Sequence, residues 1–156
     1  MASTSTTQQI DISKLSLPQL AQLKQQLEQE LSVFQDSIQT LKIALNKFSE
    51  SGECLEKIGP DSEGKTILVP LTSSMYVPGS LTDVNNVIID IGTGYYAQKD
   101  VEGGKDYFKR KVQFVNEQIE KINMLGVEKS KFHEAITMLM EMKVQQQLQA
   151  QKAASS

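Results

Sequence analysis

Apolar residues recur at heptad spacing along the first third of the chain. One series advances seven residues at a time from Leu20 to Leu55, and a companion series runs from Leu17 to Gly52. Only Lys24 and Gly52 interrupt the two series, and the positions between them are mostly Gln, Glu, Lys and Ser. An apolar repeat sustained over this length is typical of a coiled-coil helix, whose seam faces a partner helix. The sequence therefore predicts one helix over residues 17–58.

Local signals mark both ends of this first helix. Ser16 and Gln19 fit a capping box, in which the later side chain reaches back to the N-cap amide. Gly59 followed by Pro60 stops the helix, because proline lacks the amide hydrogen and clashes with the preceding turn. Residues 1–10 are mainly Ser, Thr and Gln, with too little apolar surface to bury, so we expect a disordered tail there.

A second helical pattern fills the last third of the chain. Its first apolar residues alternate spacings of four and three: Phe108, Val112, Val115, Ile119 and Ile122. After Gly126 we expect the seam to resume with a phase shift, at Phe132, Ile136 and Leu139. Asp100 and Asp106 are both candidate N-caps of this helix. Because each glycine inside a helix costs about 1 kcal/mol, the glycine pair at 103–104 favours a frayed or late start. The prediction is a helix over about 104–148 and a flexible tail at 151–156.

The middle of the chain, between the two helical patterns, is rich in β-branched and aromatic residues. Alternation with period two predicts strands near 67–71, 75–77, 87–91 and 95–98, and the segments 72–74 and 92–94 supply turns. We therefore predict two successive β-hairpins over 66–99, with Pro70 and Pro78 on strand edges, where no ladder hydrogen bond is lost. Isolated hairpins are marginal in water, so their apolar faces are expected to pair with other chains.

Composition narrows the class of protein. The 156 residues carry a net charge of −3, which gives no basic field to recruit nucleic acid or an anionic membrane. The single cysteine, Cys54, excludes an intrachain disulfide and suits a reducing compartment. The sequence has no apolar run long enough to span a membrane, and MASTSTTQQI lacks the features of a secretory signal. We expect a cytoplasmic protein that assembles with other chains, and a nuclear role stays open.

Two strings in the middle of the chain are specific. Residues 67–81 read ILVPLTSSMYVPGSL and residues 87–100 read VIIDIGTGYYAQKD, between helical segments of nearly equal length. In these strings and their placement the chain resembles the alpha class of the prefoldin family, from about Ile10 to the last helix. The resemblance implies an α+β fold, a long antiparallel coiled-coil hairpin with two β-hairpins at the connection, forming one domain over residues 11–150.

The resemblance also implies a function and partners. Prefoldins are heterohexamers, so this chain would join one more alpha-class subunit and four beta-class subunits through its hairpins. The family captures unfolded actin and tubulin at the coiled-coil tips without ATP and transfers them to the cytosolic group II chaperonin. No cofactor, nucleic acid or membrane enters this expected activity, and the chain is not expected to be an enzyme.

Candidate client-binding residues lie near the free ends of both helices, where a coiled coil cannot bury every apolar side chain. They are Leu15, Leu17, Leu20, Leu23, Met138, Met140, Met142 and Leu148. Those outside the seam register, Leu23 and the three methionines, are favoured because helical geometry points them away from the partner helix. The others are equally explained as seam residues. The candidate subunit-assembly residues lie on the hairpins: Ile67, Val69, Leu71, Met75, Val77, Val87, Ile89, Ile91 and Tyr95.

Other chemistry finds little support in the sequence. His133 and Cys54 are each single in the chain, so a metal site or a catalytic pair lacks further ligands or a base. The glycines at 92 and 94 do not form a phosphate-binding loop, because no helix follows them. The basic run at 109–111 is better explained as a solvated helix face. A coiled-coil scaffold without chaperone activity stays open as an alternative, although such a scaffold gives no reason for two tandem hairpins.

Overall fold

The computed structural model describes residues 11–154, so the disordered tail predicted at 1–10 lies outside the described residues. Two helices flank four strands, in an order that confirms the predicted α+β class. The elements are α1 (Leu17–Glu56), β1 (Thr66–Pro70), β2 (Tyr76–Ser80), β3 (Asn86–Gly92), β4 (Tyr95–Asp100) and α2 (Val101–Ala154). Short 3-10 turns at Ile12–Lys14 and Pro60–Ser62 precede α1 and β1.

The chain divides into two compact units, each with its own contacts. The helical unit contains the described residues up to Ile38 and from Glu120 onward, which are the first part of α1 and the last part of α2. The hairpin unit is Gln39–Ile119, which holds all four strands together with the adjoining parts of both helices.

In the helical unit α1 and α2 run antiparallel around a small apolar cluster. Leu20 and Ile136 are completely buried and Leu27 nearly so. Partly buried apolar side chains pack against these three: Leu15, Leu23, Leu139 and Met140. The cluster contains no aromatic residue, so it is held by aliphatic packing alone.

The predicted phase shift after Gly126 is wrong. The spacing of four and three that begins at Phe108 continues without interruption, and its later positions are Gly126, Lys129, His133, Ile136, Met140 and Lys143. All of these residues are buried or half-buried. Of the predicted shifted seam, Ile136 belongs to this register too and Leu139 is half-buried, whereas Phe132 is 39% exposed. Polar residues therefore occupy seam positions of α2, and neighbouring apolar residues are displaced to the side of the helix.

In the hairpin unit the strands form two separate antiparallel ribbons, β1–β2 and β3–β4. The β3–β4 turn uses Gly92 and Gly94, whose positive φ values of 98° and 82° are unfavourable for other residues. A register shift between Asp90 and Gly92 marks a bulge just before this turn. The two predicted hairpins are thus confirmed, each as a two-stranded sheet with free edges.

The start of α2 comes earlier than predicted. The helix begins at Val101, and Asp100 caps it by accepting a hydrogen bond from the amide of Gly103 at 3.3 Å. Gly104 is buried, and a Cβ added there would lie 3.0 Å from Leu55 and 3.1 Å from Val87. The glycines thus allow the cap and a close approach of α2 to α1 and β3, which offsets their poor helix propensity.

The far ends of both helices also differ slightly from the prediction. α1 ends at Glu56 rather than near residue 58, because Lys57 and Ile58 donate to carbonyls three residues back, as in a tightening last turn. α2 continues to Ala154 rather than ending near 148, since the Gln- and Ala-rich sequence contains good helix formers and no breaker. Residues 151–154, which were expected to belong to a flexible tail, are part of this helix.

The close approach at Gly104 gives a stability test. Replacing a helical glycine by alanine normally raises the free energy of unfolding by about 0.5–1 kcal/mol. Gly126→Ala should show this gain, because the added Cβ would meet only Phe34, at 4.0 Å. Gly104→Ala should show no gain or a loss of about 1 kcal/mol, because its Cβ overpacks. Urea unfolding followed by circular dichroism measures both, and equal gains would contradict the assigned packing.

Candidate functional site

Two interhelical contacts, one ion pair and one histidine–carboxylate hydrogen bond, lie at the polar seam positions of the helical unit. Lys129 on α2 pairs with Glu30 on α1, and His133 Nε2 lies 3.0 Å from the Glu28 carboxylate. The hydrogen bond from Lys129 and, secondarily, one from Gln26 lower the pKa of Glu30 from its ordinary value near 4.5. Charged partners at seam positions fix the pairing register of two helices at some cost in burial energy.

The polar seam leaves one side of the helical unit apolar. Two leucines and a phenylalanine recur every seven residues along α2, directly beside the seam, and α1 adds two apolar residues on the same side. We call this surface the apolar flank: Leu23, Val33, Leu125, Phe132, Leu139 and Met142. A groove on this side is lined by Leu23, Leu125 and Phe132 together with the Glu30–Lys129 pair. Leu23 and Leu139 are half-buried, whereas the other four are exposed to between 39% for Phe132 and 61% for Val33.

The opposite side of the same two helices is polar. The residues flanking the seam there form the polar flank: Gln25, Glu28, Gln35, Asn123, Ser130, Glu134 and Thr137. The exposed apolar residues on this side are Val127, Val144 and Leu148. A helix pair with one apolar and one polar flank presents its binding surface in a single direction.

The predicted client-binding residues separate into three groups in the structure. Leu20 is fully buried, so its assignment as an exposed binding residue is wrong, because it belongs to the apolar cluster. Leu15, Leu17, Leu23 and Met140 are half-buried, and Met140 occupies a seam position although it was expected outside the seam. The exposed candidates are Met138, Met142 and Leu148. Of these, only Met142 lies on the apolar flank.

Ribbon β1–β2 exposes apolar side chains on both of its faces. The cross-strand pair of Val69 with Val77 lies on one face, and the pair of Pro70 with Tyr76 lies on the other. Every residue of the two strands is exposed except the half-buried Gly79. The predicted assembly residues Ile67, Val69, Leu71, Met75 and Val77 are therefore all available to a partner chain.

Ribbon β3–β4 is covered on one face by its own chain. Ile89 is only 4% exposed and Val87 is half-buried, because both lie where α2 approaches at Gly104. The assignment of Ile89 as an assembly residue is therefore corrected to a role in the fold of the hairpin unit, whereas that of the half-buried Val87 stays a prediction. Ile91 and Tyr95, the other two predicted residues of this ribbon, are exposed.

Sequence reasoning missed several exposed apolar residues. On the hairpins these are Leu68, Tyr76, Ile88 and Tyr96, which were not among the predicted assembly residues. On the helices they are Val33, Leu125 and Phe132. Counting the heptad onward through Gly126, instead of restarting it at the next apolar residue, would have found the last two.

Over residues 11–154 the structure shows no set of three His, Cys, Asp or Glu side chains arranged to hold a metal ion. His133 contacts Glu28, and Cys54 is an exposed free thiol. Within the same range, neither helix carries a stretch apolar enough to cross a bilayer.

Two long helices joined through two β-hairpins define the prefoldin type of chain, and the family model described as "Prefoldin subunit" matches residues 27–146. The chain belongs to the prefoldin family, which is a chaperone family whose subunits assemble with one another. This confirms the resemblance found in the sequence.

The relatives narrow the similarity to one kind of subunit. The chain is 48% identical over 155 residues to "Probable prefoldin subunit 5" of Drosophila melanogaster, which covers 96% of this chain and 92% of that protein. It is 49% identical over 139 residues to "Prefoldin subunit 5" of Homo sapiens, covering 89% and 90%. A filamentous prefoldin from Methanocaldococcus jannaschii aligns with a TM-score of 0.45 and 20% identity, covering 78% of this chain and 95% of that chain.

The Glu30–Lys129 pair predicts a pH dependence of stability. Because the pKa of Glu30 is lowered in the folded chain, the pair stabilises the fold above the ordinary glutamate pKa, and this contribution is lost as the pH falls through the folded-state value. Glu30→Gln should therefore flatten the decline in unfolding free energy between about pH 6 and about pH 3. Urea titrations at several pH values measure this change.

Two related substitutions serve as controls for this test. Lys129→Gln should flatten the profile in the same way, and the double substitution should add little further change, because both single variants remove one interaction. Additive changes from the two substitutions would contradict a direct pair.

Proposed function

We propose that this chain is a holding subunit of a prefoldin complex and that its apolar flank binds exposed apolar segments of non-native polypeptides. The observation that carries the proposal is the contrast between the apolar and polar flanks of one helix pair. Solvent-exposed apolar patches on a soluble protein mark interaction sites. Aliphatic, aromatic and methionine side chains on the flank suit partners of varied sequence, because they make no directional demand.

Binding at the flank is expected to be weak for a single chain and strong for an assembly. The flank is interrupted near its middle by the Glu30–Lys129 pair, so it offers short apolar segments rather than one continuous groove. When several chains surround one client, each further contact becomes intramolecular and overall avidity rises steeply. Holding and release then require no nucleotide, and the chain acts without enzymatic chemistry or a cofactor.

The hairpins are proposed as the assembly surface of this chain. Ribbon β1–β2 exposes both faces and both edges, and ribbon β3–β4 exposes Ile88 and Tyr96 on one face. These surfaces fit insertion between the strands of neighbouring subunits. We propose a heterohexamer in which this chain joins one further alpha-class and four beta-class subunits.

Membership of the prefoldin family supports a proposal about which proteins the complex binds and which chaperonin receives them. We propose that the complex captures unfolded actin and tubulin and delivers them to the cytosolic group II chaperonin. A cytoplasmic location follows from these partners. The chain's net charge of −3 and the polar flank give no support to a nucleic-acid or membrane partner.

The flank assignment predicts a loss of holding activity. Leu125→Ser combined with Phe132→Ser should abolish most suppression of client aggregation by the assembled complex, because it removes the centre of the apolar flank. Light scattering of chemically unfolded actin diluted into buffer with the complex measures this activity. Both side chains are substantially exposed, so assembly and helix content should change little.

A double substitution on the opposite side is the matched control. Val127→Ser with Val144→Ser removes two exposed apolar side chains on the same side as the polar flank. This change should leave aggregation suppression at the wild-type level. Equal loss in both double variants would show that the flank is not the binding surface.

The assembly assignment predicts a loss of association. Val69→Asp should weaken binding to beta-class subunits about tenfold or more, because the carboxylate would be buried without a partner in a shared sheet. Ser73→Asp, in the exposed turn between β1 and β2, is the control and should assemble normally. Native mass spectrometry of reconstituted subunits reads out both variants, and a homodimer in place of a heterohexamer would favour the scaffold alternative.

A further inference from the structure

The segment just before α1 has a defined conformation of its own. Ile12–Lys14 form a single 3-10 turn, and Asp11 accepts hydrogen bonds from the amide and the hydroxyl of Ser13 at 3.1 and 2.6 Å. These bonds lower the pKa of Asp11. Ser16 then caps α1 through Gln19, whose side-chain oxygen accepts from the Ser16 amide at 2.9 Å. We call residues 11–16 the strap.

The strap is attached to α2 through one lysine. Lys143 Nζ donates to the carbonyl oxygen of Ser13 at 2.8 Å and also to that of Leu15. Lys143 occupies the last polar seam position and is half-buried, so its ammonium is directed at the strap backbone instead of at solvent. Hydrogen bonds from a charged donor are stronger than those between neutral groups.

The strap covers the end of the apolar cluster of the helical unit. Leu15 is partly buried against the cluster formed by Leu20, Leu27 and Ile136, and Met140 packs against the same cluster from α2. Ile12 is also half-buried, whereas the other side chains of the strap are exposed. Lys143 therefore holds the backbone within the 3-10 turn at Ser13 and just after it at Leu15, while the Leu15 side chain packs against aliphatic side chains.

We propose that the strap is a removable cover, closed by Lys143, and that its opening adds the underlying apolar cluster to the client-binding surface. The proposal rests on the proposed function, since it assumes that the helical unit binds non-native polypeptides. A single 3-10 turn held by one ammonium group and one leucine opens far more easily than the helices beneath it. Opening removes the Leu15 side chain from the cluster of Leu20, Leu27 and Ile136, against which it packs when the strap is closed.

Hydrogen exchange tests directly whether Lys143 holds the strap closed. In the assembled complex, Lys143→Gln removes the charge and the two-carbonyl contact, so the amides of Lys14 and Leu15, which close the 3-10 turn, should exchange about tenfold faster. Lys131→Gln neutralises an exposed lysine of the same helix and should leave these amides unchanged. Unchanged amide exchange at Lys14 and Leu15 in the Lys143→Gln variant would show that Lys143 does not hold the strap closed.

A second variant separates the covering role of the Leu15 side chain from the role of Lys143 in holding the strap. Leu15→Ala keeps the backbone carbonyls for Lys143 but removes most of the covering side chain, so binding of an anilinonaphthalene sulfonate dye should rise in this variant as well as in Lys143→Gln. Circular dichroism and native mass spectrometry verify that helix content and assembly are retained. Dye binding at the wild-type level in both variants would contradict the proposal that the strap covers the apolar cluster.

Aggregation suppression then distinguishes the strap from the proposed function. Under the proposal, Lys143→Gln complexes hold client at a lower subunit concentration than wild type, whereas Lys131→Gln complexes match wild type. Faster exchange with unchanged or weaker holding would reject the role of the strap in client binding. If the wild-type complex itself fails to hold any client, the proposed function fails, while the exchange data still decide whether Lys143 closes the strap.

Discussion

The pairing of α1 with α2 depends on one uninterrupted heptad register along α2. The register places Ile136 and Met140 against α1, and it places Lys129, His133 and Lys143 at equivalent positions before and after them. Polar residues at such positions weaken packing and specify alignment, because any slip would leave their polar groups without partners. The same register displaces leucines and a phenylalanine to one side of the helix. A single constraint therefore sets the alignment of the helices and the asymmetry of their surface.

The first helix was predictable because nearly all of its seam positions are apolar, so local pattern and tertiary packing agree. The second helix was also predicted, but the course of its seam was not, because the prediction looked for apolar residues and moved the seam to Phe132 when it met Gly126, Lys129 and His133. Its start was placed too late for a related reason. Helix propensity penalises glycine, but Asp100 caps the helix and Leu55 leaves no room for a side chain at Gly104.

The hairpins show which part of a binding surface a sequence can specify. Alternation correctly located the strands and their turns, since it depends only on local geometry. It did not show which face of ribbon β3–β4 the helices cover, so Ile89 was assigned to assembly although it packs inside the chain. The prediction made no such error for ribbon β1–β2, because neither of its faces is covered by a helix. The choice of face is a tertiary property that period-two patterning leaves open.

The double exposure of ribbon β1–β2 has a consequence for the abundance of this protein in a cell. An orphan copy leaves Leu68, Val69, Val77 and Tyr76 in water, and neither ribbon has a second sheet to shield it. Surplus subunits with surfaces of this kind aggregate or are degraded, whereas copies bound to other subunits are protected by mass action. We therefore expect the isolated chain to aggregate more readily than the chain bound to other subunits.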